Sequence, residues 1–272
     1  MASQDQGNEL HAALAALLNR RFEHIVVFSG AGMSADSGIP TFRSGSNGLW
    51  GEFDPQQLAT PGAWARDKAT VWGWYEWRRG HVMAARPNPG HVAVARLQRE
   101  FGAQVVTQNV DDLHERAGVE GALHLHGSLF AARCDRCGAR ADLDEPPPEA
   151  QRRLTPPTCT ACGKGSIRPG VVWFGEPLDD EVVNAATRRI ARCDLLLIVG
   201  TSGVVYPAAG LVGLAPKDAV IVEINPQSGE VAAQVNHRWQ TTAALGLPIL
   251  AEWLAEAASG DRRAGLRPSA DA

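Results

Sequence analysis

Four cysteines form two C-x-x-C pairs, Cys134 with Cys137 and Cys159 with Cys162, and 21 residues separate the pairs. Two knuckles near that spacing, beside turn residues Asp135, Arg136, Gly138 and Gly163, read as a tetrahedral four-thiolate zinc site. Four thiolates leave no open position for water, so the expected ion is structural. Redox pairs are the plainer alternative, but a thioredoxin-like pair needs one C-x-x-C at a helix start rather than two beside turns. Cys193 opens an apolar run and reads as an inert buried thiol. The second chemical signature is the turn Gly30-Ala31-Gly32-Met33-Ser34-Ala35, a G-x-G-x-x-A match. Glycines there let backbone amides approach a pyrophosphate at a helix N-terminus. Such turns also occur without a ligand, and no strand ending in an acidic residue follows about 20 residues on, which disfavours an ordinary dehydrogenase.

Further motifs run in a fixed order: Pro40-Thr41-Phe42-Arg43, Thr107-Gln108-Asn109-Val110-Asp111, His124-Leu125-His126-Gly127-Ser128, the four cysteines, Val172-Trp173-Phe174-Gly175-Glu176 and Gly200-Thr201-Ser202. Over about residues 20–255 the chain resembles the sirtuins, NAD-dependent protein-lysine deacylases. The resemblance implies NAD as co-substrate, acylated lysines of proteins as substrate, and His126 as the base that takes a proton from a ribose hydroxyl. A neutral imidazole near pH 7 suits that task. His124, two residues away on a strand, would face the other side and reads as structural. The same resemblance assigns Asn109 and Asp111 to the nicotinamide amide, whose one acceptor and two donors are met by an amide and a carboxylate. A strand end followed by a helix cap is their plainer reading. It assigns Gln108 to the ribose, Phe42 and Arg43 to a loop over the nicotinamide and phosphates, and Gly200, Thr201, Ser202 and Asn225 to the adenosine side. Ala243 is the expected last adenine contact. Val172, Trp173, Phe174 and Gly175 match the segment that pairs with the substrate peptide, an ordinary edge strand being the alternative.

Residues 59–79 bear on the acyl group. Tyr75 and Arg78 are three apart on an expected helix and so share one face. A guanidinium fork and a phenol converging there can bind a carboxylate. With the small residue Ala59 widening the pocket, the arrangement is similar to the sirtuin subgroup that removes malonyl, succinyl and glutaryl groups. Five of the eight tryptophans lie between Trp50 and Trp77, so a plain aromatic core competes with that reading. A general deacetylase or a mono-ADP-ribosyltransferase is the alternative within the same site. A zinc ribbon binding nucleic acid, with Arg133, Arg136 and Arg140 beside the first knuckle, is the alternative of another class. Arginine supplies 23 of the 26 basic residues along the whole chain and no aromatic platform flanks the knuckles, which weakens it.

The elements that must position these residues are legible as apolar runs at 24–28, 104–107, 194–199 and 219–224, β-branched and of strand length. Helical patterns fall at 9–20, 90–101, 179–192 and 247–258. Their alternation predicts an α/β fold, a doubly wound Rossmann-like parallel sheet assembled from 9–44, 86–130 and 169–258. A helical insertion, 45–85, and a zinc module, 131–168 with a Pro-rich solvent loop, should build a smaller domain, and 1–8 and 259–272 read as tails. The 272 residues, 44% apolar and 21% charged with net charge -4, exclude disorder and coiled coil and give no basic field for nucleic acid. No stretch approaches the roughly 20 apolar residues of a membrane helix, and MASQDQGNEL lacks signal-peptide regions, so a cytoplasmic monomer or weak oligomer is expected.

Overall fold

The computed structural model describes residues 20–40, 54–203, 207–227 and 235–259, with 12, 14 and 16 of a preceding helix. Six parallel strands form the main sheet: β1 (Ile25–Ser29), β2 (Gln104–Thr107), β3 (Leu123–His124), β7 (Leu195–Val199), β8 (Val220–Ile224) and β9 (His237–Trp239), in the order β3-β2-β1-β7-β8-β9. The four expected strands all form, shifted by at most a residue at their ends. The edge strands β3 and β9 have two and three residues and carry no apolar run, which is why periodicity did not show them.

Alternation along the buried strands separates two cores. Ile25, Val27, Val105, Leu195, Leu197 and Val222 point to one face. There they meet α5 (Pro89–Phe101) and α8 (Ala243–Ser259). Val26, Phe28, Val106, Leu196, Ile198 and Ile221 point to the other, covered by α7 (Asp180–Ile190) and the 3-10 helix Ala208–Leu214. Asn88 starts α5 with a capping box, its side chain accepting from Gly90 and His91 amides while its own amide donates to His91 Nδ1. Cys193 is buried beneath α7, as expected of an inert thiol.

The smaller domain joins both insertions. Its antiparallel sheet has the order β5-β4-β6, from β4 (Gly127–Cys134), β5 (Arg140–Ala141) and β6 (Ile167–Val171). After the single turn α2 (Pro55–Leu58), helices α3 (Pro61–Arg66) and α4 (Lys68–Ala84) pack on that sheet. They do so through Trp64, Val71, Trp72, Trp74 and Tyr75, which join Leu129, Ile167 and Val171 in a third core. Thr60 caps α3 and Asp67 caps α4. The Pro-rich segment is not a free solvent loop. Although its side chains are mostly exposed, Leu154 donates its amide to Ala69, Arg79 donates to the Asp144 carbonyl, and the Gln151 carbonyl lies so close to Gly73 that a Cβ would approach it to 2.6 Å. Among the described residues no helix is long and apolar enough to cross a membrane.

Candidate active site and metal centre

The four sulfurs of Cys134, Cys137, Cys159 and Cys162 lie within 4.8 Å of one another. Two of the separations, Cys134 to Cys162 and Cys137 to Cys159, are 3.7 and 3.8 Å. Sulfurs about 2.3 Å from a central zinc would stand about 3.8 Å apart at tetrahedral angles, so the cluster fits that ion. Amides of Arg136 and Cys137 point at Cys134 Sγ and that of Gly165 at Cys162 Sγ, which favours thiolates. Gly165 is required by proximity, since a Cβ would stand 2.2 Å from Cys134 Sγ.

In the main sheet, Ser29, Thr107, Val199 and Ile224 align at the carboxyl ends of neighbouring strands. Gly30, Gln108, Gly200 and Asn225 are the residues that follow, so four expected cofactor positions form one row. The strand order reverses between β1 and β7, where open α/β sheets bind ligands. At that point the Gly30 amide donates to Val199 and the Gly32 amide to Gly200. A Cβ on Gly32 would stand 2.7 Å from Gly200 Cα, and one on Gly30 2.9 Å from Thr201 Cβ. The glycines therefore serve first to let two loops touch each other, a requirement the G-x-G-x-x-A spacing did not disclose. Gln108 Nε2 donates to Thr201 Oγ1, and Asn225 Nδ2 to the Thr201 carbonyl, closing the row from the sides. Ala31 precedes the short helix α1 (Gly32–Ala35), and Ser202 is half-buried beside Thr201. Ala243 opens α8, with its side chain 2% exposed in the core shared with α5 and its carbonyl abutting Gly90. Phe42 and Arg43 lie outside the described residues.

Ser34 is the hub of a buried polar cluster. Asn109 Nδ2 donates to its hydroxyl at 3.2 Å, and that hydroxyl donates to Asp111 Oδ2 at 3.0 Å. His91 Nε2 lies 3.4 Å away. Because the Asn88 amide occupies His91 Nδ1, the proton of a neutral ring sits on Nε2 and faces Ser34. His114, on the short helix α6 (Leu113–Arg116), bonds Ser29. Burial pushes His91 down to about 4 and His114 down to about 3, so both rings stay neutral. Burial raises Asp111 against the pull of donors from Leu113 and Ser34. His91 and His114 escaped sequence reasoning, which read only a helical pattern over 90–101 and singled out neither histidine.

His126 Nδ1 lies 2.9 Å from the Gln108 carbonyl, which fixes the proton on that nitrogen and leaves Nε2 with a free lone pair. Burial lowers its pKa, partly countered by that bond. His124 instead bridges the Asn109 carbonyl and Glu115, which raises its pKa, so it braces the loop carrying Asn109.

Tyr75 and Arg78 do converge. Arg78 lies over the Trp74 and Tyr75 rings at 4.9 and 5.6 Å and bonds the Tyr75 hydroxyl. That oxygen also accepts Trp173 Nε1 at 3.0 Å, leaving its own proton to donate. Burial pushes Tyr75 up to about 12 and Arg78 downward, the latter opposed by Tyr75 and by the charge of Asp111. Ala59 is buried, and its carbonyl accepts the Phe174 amide. The Val172 amide is held by His126 O, and Gly175 turns the chain at φ 88°. In this structure residues 172–174 are not a strand: Arg168 grips Glu176 at 2.6 and 2.9 Å and lies on the Trp173 ring, locking a turn. Trp173 is core, whereas Phe174 is 40% exposed.

Fold and site together define a Rossmann-like nucleotide-binding protein with an inserted zinc-binding module. The profile described as the Sir2 family matches residues 30–207, and the chain belongs to that family. It is 56% identical over 208 residues to NAD-dependent protein deacylase 1 of Pseudomonas aeruginosa, covering 75% of this chain and 83% of the relative. It is 49% identical to NAD-dependent protein deacylase 2 of Corynebacterium efficiens, covering 87% and 94%. A solved Sir2 homolog–NAD complex superposes with a TM-score of 0.81 at 39% identity, covering 91% and 93%.

Proposed function

We propose that the protein is a cytoplasmic NAD-dependent protein-lysine deacylase that removes succinyl and malonyl groups ahead of acetyl, giving nicotinamide, O-acyl-ADP-ribose and free lysine. Membership of the Sir2 family and the names of its relatives support the general activity. The acidic preference rests on one observation, the convergence of a half-buried Arg78 on the buried Tyr75, whose phenolic proton is still to give. Bound NAD supplies the ribose carbon that nicotinamide leaves and the hydroxyl that receives the acyl group. His126 Nε2 accepts that hydroxyl's proton, while Gln108 holds the ring by its other nitrogen. Asn109 and Asp111, oriented by Ser34, receive the nicotinamide amide. The touching loops at Gly30–Gly32 and Gly200–Ser202, with Asn225, hold the dinucleotide at the switch point. The acyl-lysine enters beside Val172–Gly175, and its tail ends at Ala59, Tyr75 and Arg78.

In an apolar pocket, a polar pair left without its partner rejects the substrate that lacks it. One peptide carrying acetyl, malonyl or succinyl lysine, assayed with NAD on wild type and Arg78→Met, tests the reading. Wild type should favour the acidic groups, and Arg78→Met should lower succinyl kcat/KM by about 100-fold, as expected for a lost charge-assisted pair worth about 3 kcal/mol. Fastest turnover of the acetyl peptide, together with succinyl removal unchanged in Arg78→Met, would refute the acidic preference. Failure of His126→Ala to abolish O-acyl-ADP-ribose formation would refute the assigned base.

A further inference from the structure

We propose that Asp135, inside the first metal knuckle, is a positioning residue for the acyl end of the site and thereby a determinant of acyl-chain selectivity. The proposal rests on the reading of Tyr75 and Arg78 as that end.

The carboxylate of Asp135 is fully engaged. Its Oδ2 accepts Trp64 Nε1 at 2.9 Å and Lys68 Nζ at 2.7 Å, and its Oδ1 accepts the Ser166 amide at 2.9 Å. Its own amide donates to the Ser166 carbonyl, so the knuckle and the strand leading into β6 are tied at one residue. Trp64, buried in α3, faces Trp173 with ring centroids 5.6 Å apart. Trp173 in turn gives its indole proton to Tyr75. A continuous strut thus runs from the knuckle through two indoles to the phenol, and each indole N–H has one acceptor along it. An indole nitrogen only donates. Without Asp135 the buried Trp64 N–H has nowhere to go unless the ring turns, and a turned ring moves the surface on which Trp173 rests. Trp173 then carries the Tyr75 oxygen with it.

Such a shift discriminates between substrates. An acidic tail needs the Tyr75 proton and the Arg78 fork in register, because charged hydrogen bonds depend on geometry. An acetyl group makes no such demand. The strut therefore acts on the affinity for acidic acyl chains and leaves the chemistry at His126 alone.

Trp64→Phe is the sharpest variant, since it keeps an aromatic ring, deletes the donor and leaves the knuckle sequence intact. Asp135→Asn and the double variant complete a cycle. For each, zinc content is measured, as are Kd values for succinyl-lysine and acetyl-lysine peptides by fluorescence anisotropy without NAD, and then kcat and KM. With one zinc per chain retained, the succinyl Kd and KM should rise about tenfold, while acetyl values and both kcat values stay within about twofold. The double variant should be no worse than the poorer single one. Parallel loss of succinyl and acetyl binding, no change in either, or additive effects would overturn the strut while Arg78→Met still abolishes the acidic preference. Absence of that preference in wild type, or its survival in Arg78→Met, identifies failure of the acyl-end reading itself and overturns both.

Discussion

Two glycines with left-handed backbones offer a measurement of what the contact between the cofactor loops requires. Gly102 ends α5 at φ +68°, and a Cβ added there would meet no atom within 4 Å. Gly200 has φ +58°, and a Cβ there would stand 2.5 Å from both Gly32 C and Met33 N. Alanine at either site meets the left-handed penalty, about 1 kcal/mol. At Gly102 nothing is added. At Gly200 the obstructing atoms are backbone and cannot rotate away, so the loops must part, at a further cost of about 1–3 kcal/mol typical of overpacking. Urea denaturation of the two variants should therefore separate them by about 2 kcal/mol. Calorimetric titration with NAD should show wild-type affinity in Gly102→Ala and a loss of at least about tenfold in Gly200→Ala, equivalent to about 1.4 kcal/mol. Equal stabilities within about 0.5 kcal/mol and equal NAD affinities would refute the idea that loop contact at the switch point builds the cofactor site.

The remaining predictions concern protons. With His126 lowered by burial, kcat/KM should rise on the acid side with a midpoint below about 6.5 and stay level through neutral pH; a midpoint above about 6.5 would contradict the buried neutral base. His91 and His114 are held near 4 and 3 in the fold, so between pH 6.5 and those values only the unfolded chain takes up their protons, and stability falls as pH falls. From pH 7 to pH 5 each ring should remove about 2 kcal/mol, opposed in sign by His124, and denaturation midpoints independent of pH over that range would exclude neutral rings.

Long buried strands and metal knuckles are strong signals because one local cause dominates each. The runs at Ile25–Ser29 and Leu195–Val199 are apolar on both faces, as only a covered parallel strand needs. The cysteine pairs carry their own geometry. His126 was legible through the company of its motif, but its tautomer was not, since that depends on the carbonyl of Gln108, 18 residues away. Apart from the short edge strands β3 and β9, the missed features are long-range contacts. Asp135 reaches Trp64 across 71 residues, Ser34 reaches Asp111 across 77, and the Pro-rich segment meets α4 through backbone groups that have no sequence signature. Ala243 was named only through the family resemblance, and its burial against Gly90 is again a tertiary contact that no local pattern announces.

The charge of Arg78 joins what the sequence motifs present as two separate ends of the site. Burial disfavours the charged forms of both Arg78 and Asp111, and the interaction of Arg78 with Asp111 offsets part of that cost on the cation's side. Asp111 thus compensates part of the burial cost of the Arg78 charge but supplies no hydrogen-bond partner at the acyl end, where an acidic tail would still be needed. An incoming carboxylate adds a second anion to the same cation and so places a like charge near Asp111. The donors already fixed on Asp111, the Ser34 hydroxyl and the Leu113 amide, oppose its protonation under that load. Because His91 and Asn109 both present donors to the Ser34 oxygen, its one proton is directed to Asp111. On the proposed reading of Arg78 and Asp111, discrimination among acyl groups would depend on the buried Ser34–Asn109–Asp111 network as well as on the two residues that would touch the acyl tail.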